Sequence, residues 1–482
     1  MIHCTIPTVQ SLSDKREPYK KYNVFDIHLN GAYHCSARYS TLFNLHEKLV
    51  DTFGFRLDAP EFPPKKVWRT LDTKAINERR EALAKYFQGV IQNPDVARHA
   101  ILEKAFLEFQ ISSFAPPLSS VKLEIFLPDG RPMVIDCYSD DSTSIVMQSG
   151  PILINIKLCD VIGMNKRYMS CFGLFLAQPR NATRENGLVS NILFDQICIR
   201  WLKNFESPFI SQQLANKDNT ESGVFYKITI RRVTWDPSVE EPLLDDPGCL
   251  KLLFLQALND LQRDLMRISA DNKERLSTVQ EEGDFKQFVR MCHLQPNYGY
   301  ELLKPVISDF PQANTCCQLK VGRRQIVLEY EDNGIMVQSV LRSTRIRVWR
   351  VSQNHSNDKS SASGQTNSEM TFQIEYLAGK NEFGVITLNT DQAVILSLFL
   401  QSIAAEILRD HQCNSPTFQF DDSVSTKAIE SLEISKANSI ISEDLSIQEN
   451  GSEAELDNLF KIISYQMPFD NESFEDVTDA DL

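Results

Sequence analysis

Signatures of catalysis are missing from this chain of 482 residues. It contains no G-x-x-x-x-G-K-[ST], no G-x-G-x-x-G, no G-x-S-x-G and no H-E-x-x-H, so a phosphate-cradling loop, a nucleophile elbow and a zincin helix are not expected. The 8 histidines are dispersed. His34 and Cys35 are neighbours, but consecutive strand residues point to opposite faces, so one metal ion would not use both. An enzyme, a cofactor and a metal are therefore not expected. The 11 cysteines form no C-x-x-C pair, and Cys316 abuts Cys317. That is a poor disulfide framework, and it predicts reduced thiols in a cytoplasmic setting. The apolar run Gln392–Ala405 ends at Glu406, too short to span a bilayer. Met1-Ile2-His3-Cys4 does not open a signal peptide, so any membrane contact is expected to be peripheral. With 18 Gly and 21 Pro, a collagen-like or largely low-complexity chain is excluded.

Hydrophobic residues make up 42% and charged residues 24%, enough for three or four folded domains. The net charge of -14 is unevenly placed. Residues 413–482 hold 3 basic and 16 acidic side chains, whereas residues 1–412 hold 47 and 48. The protein reads as a near-neutral body with an acidic tail, which argues against nucleic-acid binding. Residues 1–110 carry 16 basic against 13 acidic groups, a balance compatible with an anionic membrane surface.

In the first 110 residues, Phe25, Ile27 and Leu29 alternate with polar residues and run into Asn30-Gly31, the dipeptide of a tight hairpin. The chain returns through Ala32–Tyr39. Ser40 is placed to cap a helix bearing Leu42, Leu45, Leu49 and Phe53. The loop Pro60-Glu61-Phe62-Pro63-Pro64-Lys65-Lys66 cannot be helical. Ile76, Leu83, Phe87 and Val90 mark a second helix, and Asn93-Pro94 opens a third. After a linker at Ser112–Leu118, a hairpin at Val121–Cys137 begins a mixed α/β region. From Leu243 the period becomes helical up to about Lys304. Strands cover about 317–350 and 370–390, interrupted by the Ser- and Asn-rich Gln353–Ser368. An amphipathic helix over Asp391–Leu408 closes the region, and from 413 onward Ser, Asp and Glu predict disorder.

Arg38-Tyr39-Ser40 stands where a strand passes to a helix. A guanidinium offers paired donors to phosphate oxygens, an aromatic ring packs flat against a sugar-like ring, and a helix N-terminus adds N–H groups. Lys65-Lys66 and Arg79-Arg80 supply two further basic elements. Taken singly, each reads more readily as a solvated or paired surface charge. Together, R-Y-S, the Pro-Pro-x-Lys loop and Glu78-Arg79-Arg80 resemble the PX (phox homology) domain over about residues 1–110. The resemblance implies phosphatidylinositol 3-phosphate as ligand. It places Arg38 on the 3-phosphate, Tyr39 on the inositol ring, Ser40 at the helix start, Lys66 on the 1-phosphate and Arg79 on the ring hydroxyls. Leu57, Ala59 and Phe62 would dip into the bilayer, although Phe62 reads equally as core.

The order that follows, α/β then helices then strands closed by one long helix, is similar to a FERM domain with ubiquitin-like, helical and PH/PTB-like lobes. Arg345–Val351 and Leu400-Gln401-Ser402 sharpen the likeness, and the whole resembles the PX-FERM sorting nexins. The implied fold class is multidomain α+β. A PX domain of a three-stranded sheet plus helices (1–111) precedes a ubiquitin-like lobe (118–236), a helical lobe (237–310), a PH/PTB-like lobe (311–410) and a disordered acidic tail (411–482). The resemblance implies that N-P-x-Y or N-x-x-Y segments of transmembrane receptor tails add a strand beside the closing helix, at Trp349, Ala404 and Leu408. Trp349 and Leu408 also read as ordinary core positions. The terminus, with Asn471, Phe474, Asp479, Asp481 and Leu482, is similar to the family's tail, which implies engagement of the retriever recycling complex. The expected role is a cytoplasmic cargo adaptor, peripheral on early endosomes, that promotes recycling to the cell surface and away from lysosomal degradation. The alternative is a phosphoinositide-bound scaffold reaching a Ras-type GTPase or the cytoskeleton.

Overall fold

The computed structural model describes residues 3–13, 19, 21–65, 72–97, 99–148, 157–179, 195–218, 225–266, 268–354, 369–379 and 382–413. They divide into two units, Met1–Thr234 with Ser238–Tyr298, and Trp235–Pro237 with Gly299–Leu482.

The first unit opens with an antiparallel sheet of β1 (Cys4–Ser13), β2 (Lys21–Leu29) and β3 (Ala32–Arg38), in that order. Asn30 and Gly31 take φ of 51° and 79° at the β2–β3 turn, the left-handed pair that Asn-Gly supplies at little steric cost. Between Ile27 and His28 the register slips by one residue, so Arg38 stands opposite Val24. The strand runs directly into α1 (Tyr39–Phe53), which buries Leu42, Leu45, Leu49 and Phe53. Ser40 does not cap this helix. The cap position falls on Arg38, whose side chain accepts nothing, because the strand occupies the chain up to the first helical residue. Helix α2 (Thr73–Gln92) is capped by Asp72, which accepts from the Ala75 amide. The third helix ends early, giving α3 (Pro94–Ala97) and a separate α4 (Ala100–Ser113). These helices and the sheet enclose one core, which includes Ile27, Leu83, Phe87 and Phe106.

In the same unit, β4 (Ser120–Phe126), β5 (Pro132–Tyr138), β6 (Phe172–Pro179), β7 (Gln196–Trp201) and β8 (Lys227–Arg232) form a sheet in the order β5-β4-β8-β6-β7. Only β4 and β8 run parallel within it. Helices α5 (Thr143–Met147), α6 (Leu158–Ile162) and α7 (Pro208–Asp218) accompany the sheet, and α8 (Pro237–Glu240), α9 (Pro247–Gln262), α10 (Ala270–Glu282) and α11 (Phe285–His293) follow it. This second core, with Leu174, Ile230, Leu253 and Phe288, is continuous from sheet to helices. Gln110 links the α4 region to it. Gln110 accepts from the Ser207 amide at 2.8 Å and donates to Ser211 Oγ at 2.9 Å.

The second unit contains β9 (Tyr300–Leu302), β10 (Val306–Ser308), β11 (Thr315–Gly322), β12 (Gln325–Asp332), β13 (Ile335–Arg342), β14 (Ile346–Asn354), β15 (Glu369–Gly379) and β16 (Glu382–Asn389). Their order is β13-β12-β11-β10-β16-β15-β14, with β9 on β11. Helix α12 (Ala393–Cys413) closes the unit and buries Leu396, Phe399, Leu400, Ile403 and Ile407. No helix among the described residues is long and apolar enough to cross a membrane.

Candidate functional sites

In the first unit, the side chains near the α1 N-terminus gather around Tyr39. Its hydroxyl donates to the Pro63 carbonyl at 2.8 Å, and the Arg79 guanidinium lies 4.6 Å from its ring centre. Arg79 also donates to the Pro64 carbonyl at 3.3 Å. Lys65 Nζ lies 5.9 Å from the centre of the Phe43 ring, which stacks on Tyr39 at 6.1 Å. The Pro-rich loop is held against α2 by close packing. A Cβ on Gly89 would sit 2.3 Å from Pro60 Cδ, so the approach requires glycine there. Burial pushes the Tyr39 phenol up, partly opposed by the Arg79 charge, and the ring is neutral near pH 7.

Tyr39, Arg79 and the loop at 63–65 are thus brought together. Arg38 follows a different course. It is exposed, and its guanidinium lies 3.5 Å from the centre of the Tyr22 ring on β2. Ser40 is exposed in the first turn of α1. Lys66 lies outside the described residues. Arg80 turns away to the Ile6 carbonyl at 2.8 Å and pairs with Glu81 at 3.2 Å. Phe62 is core, buried among Phe43, His46 and Tyr86, which settles its double reading against the bilayer. Leu57 and Ala59 are partly buried against the same core. Tyr22 and Phe43 went unnoticed in the sequence. Phe43 had a signal, four residues after Tyr39 on one helix, whereas Tyr22 depends on a register slip.

In the second unit, β14 pairs with β15 on one side, and among the described residues no strand pairs with its other edge. Helix α12 meets β14 where Ser397 contacts Trp349, and Ser397, Gln401, Ala404 and Leu408 follow one another at helical spacing along α12. Trp349 is only 3% exposed. Its indole N–H donates to Ser397 Oγ at 3.0 Å, and Gln401 donates to the same oxygen at 3.1 Å. The ring is therefore core beneath the helix and offers little surface. Ala404 is half-buried and Leu408 is 42% exposed.

The C-terminal half of α12 is fixed by a buried carboxylate. Glu406 accepts from Arg324 Nε at 2.9 Å and from the Trp235 amide at 2.8 Å. Arg324 also pairs with Asp410. Trp235 donates its indole N–H to Ser402 Oγ at 2.9 Å. Burial raises the Glu406 pKa, against the pull of the Trp235 amide and Arg324. The tail positions Asn471, Phe474, Asp479, Asp481 and Leu482 lie outside the described residues.

Comparison with known proteins agrees with this layout. A PX domain model matches residues 26–110. A model of the FERM F1 lobe of sorting nexins 17, 27 and 31 matches residues 121–235. One of the F2 lobe of sorting nexins 17 and 31 matches 236–294, and one of the sorting nexin 17 FERM C-terminal domain matches 299–408. Sorting nexin-17 of Danio rerio is 29% identical over 419 residues, 84% of this chain and 81% of the relative. The Homo sapiens protein of that name is 28% identical over 414 residues, covering 84% and 82%. Sorting nexin-31 of Mus musculus is 26% identical over 424 residues, covering 87% and 89%.

Proposed function

We propose, from the premise that this chain belongs to the PX-FERM sorting nexin family, that it is a non-catalytic endosomal sorting adaptor with two ligands. One is phosphatidylinositol 3-phosphate, held at the α1 N-terminus. The other is an N-P-x-Y or N-x-x-Y segment of a receptor tail, added to β14 beside α12. Through its last residues the chain passes cargo to the retriever complex for return to the cell surface.

The observation that carries the reading is the gathering of Arg79, Tyr39 and the Pro63 and Pro64 carbonyls around one point. A planar guanidinium beside an aromatic ring suits a polyhydroxylated, phosphorylated ring. The guanidinium donates to oxygens while the aromatic face covers the ring's C–H surface. The first N–H groups of α1 have no side-chain acceptor from their cap residue, which leaves them for an anion. Arg38 precedes them directly. Its guanidinium lies over the Tyr22 ring, one residue from those N–H groups, and phosphate binding would draw it from that contact. Head-group capture of this kind gives reversible attachment, with about 1 kcal/mol added per nearby basic residue on an anionic surface.

The cargo half rests on the edge of β14 that no strand among the described residues pairs with. Main-chain hydrogen bonds along that edge supply affinity, and the stripe at Ala404 and Leu408 sets side-chain selection. Trp349 supports the floor of the cleft from below. Ala404, small for such a position, leaves room for a larger peptide side chain. The tail residues Asp479, Asp481 and Leu482 offer carboxylates and one apolar group to a basic socket with a small hole.

The test is co-sedimentation with vesicles containing phosphatidylinositol 3-phosphate, with calorimetry against an N-P-x-Y peptide on the same samples. Arg38→Ala and Arg79→Ala should lose vesicle binding and keep peptide binding. Retained pelleting of both variants would remove the lipid assignment. A peptide isotherm unchanged by replacing its tyrosine with alanine would remove the cargo assignment.

A further inference from the structure

Among the described residues the eight-stranded sheet has a second edge without a partner strand, β13. Among the described residues β13 pairs only with β12, in unbroken register from Gln325 opposite Arg342 to Asp332 opposite Ile335. Soluble proteins blunt such edges with lysine, proline, a bulge or shortness. β14 has a register shift between Ile346 and Val348 and exposes Arg347 and Arg350. β13 reads Ile-Met-Val-Gln-Ser-Val-Leu-Arg over eight residues, without lysine, proline or shift. It exposes Ile335 at 68%, Met336 at 62% and Val340 at 44%. Nothing in the proposed lipid or cargo sites uses this strand.

We infer that β13 is the pairing edge for a second copy of this chain, joined antiparallel across a two-fold axis at Gln338. The register follows from the strand's own pattern. Directly opposed residues in one continuous sheet lie on the same face, so each pair must share parity. An axis at Gln338 sets Met336 of each copy opposite Val340 of the other, closing the exposed apolar residues of that face into two matched cross-strand contacts. It sets Arg342 opposite Gly334, beside the Asp332-Asn333-Gly334 turn of the second copy, so an anionic corner meets a cation twice. The adjacent alternative, an axis at Ser339, would oppose Met336 to Arg342 and Val340 to Gln338 and wastes both matches. Self-complementarity in one register is what selects a second copy over an unrelated strand. On a membrane the two copies are held at raised local concentration, so the pair forms most readily where the chain is bound.

The experiment is analytical ultracentrifugation of the full chain over a wide concentration range. The mass should rise from one copy toward two. Val340→Lys should hold it at one copy, with circular dichroism and vesicle binding unchanged. Gln338→Cys, in a Cys316→Ser background, should form a disulfide-linked dimer on mild oxidation, and Glu282→Cys in the same background should not. A single-copy mass at every concentration would overturn the inference, including the case in which another segment of the same chain fills the edge. So would a dimer that tolerates Val340→Lys and resists cross-linking at 338.

Discussion

The guanidinium of Arg79, on α2, lies 4.6 Å from the ring centre of Tyr39, the first residue of α1. The two come from helices separated by the Pro-rich loop, and both hydrogen-bond to that loop's carbonyls. The site is thus one small assembly in which each part holds the next. Arg79→Ala should weaken binding to phosphatidylinositol 3-phosphate vesicles by roughly tenfold or more, since it removes a charge-assisted donor. Its cost to folding should stay within about 0.5 kcal/mol, as for a substitution outside the core. Surface plasmon resonance on vesicles and thermal unfolding of the same samples separate the two.

Gly89→Ala is a test of how the loop is held. The new methyl would meet Pro60 at 2.3 Å, so the loop must move or the helix must bend. Overpacking of this kind costs about 1–3 kcal/mol. A lower Tm and weaker vesicle binding should appear together, while binding of an N-P-x-Y peptide stays unchanged.

At the cargo cleft the cleanest probe is Leu408→Asp. Leu408 is exposed on the α12 stripe that begins at Ser397, so the change should leave folding near the wild-type value and, if that stripe lines the proposed cleft, reduce peptide affinity by about tenfold or more. Trp349→Ala is a harsher change. Removing a buried aromatic costs about 3–5 kcal/mol, and loss of peptide binding would then follow from a damaged floor. Ser397→Ala removes the oxygen that accepts from both the Trp349 indole and Gln401, and should cost about 1–3 kcal/mol, mainly the penalty of the unsatisfied buried indole donor. Calorimetry with unfolding curves distinguishes these three.

Two buried histidines give the first unit an acid sensitivity. Burial pushes His3 down from 6.5 to about 3 and His34 down to about 4. In the unfolded chain both take up protons near pH 6.5, while in the fold they stay neutral. Below that pH the unfolded state therefore binds more protons, and stability falls as pH falls from about 6.5 toward 4. His34→Gln should flatten this slope by about one proton. Unfolding in denaturant at a series of pH values measures it. A slope unchanged by the substitution would exclude His34 as the source.

The sequence carried the local events well and the relayed ones badly. Asn30-Gly31 announces its turn because the dipeptide itself supplies the left-handed backbone. The long closing helix shows its apolar stripe in Leu396, Phe399, Leu400 and Ile403, all buried. Arg38 could not be placed in the same way. Counting back from the turn without a bulge sets it opposite Asn23. The slip at Ile27 moves it to Val24 and so to the face of Tyr22, and a bulge leaves no mark in composition. Phe62 was equally opaque. A lone aromatic in a Pro-rich loop is core only if partners arrive from elsewhere, and here Phe43, His46 and Tyr86 come from two helices. Ser40 reads as a cap by type, but the strand leaves it no room to act as one.

The account turns on one chain holding a membrane and a receptor tail at once. Vesicles containing phosphatidylinositol 3-phosphate, mixed with a soluble fluorescent N-P-x-Y peptide, test this in a single flotation. With the full chain present the peptide should float with the vesicles. It should stay in solution when the chain carries Arg79→Ala, when the peptide tyrosine is alanine, or when the lipid lacks its 3-phosphate. Peptide that remains in solution while the wild-type chain floats, or that floats equally with all three controls, would contradict the account.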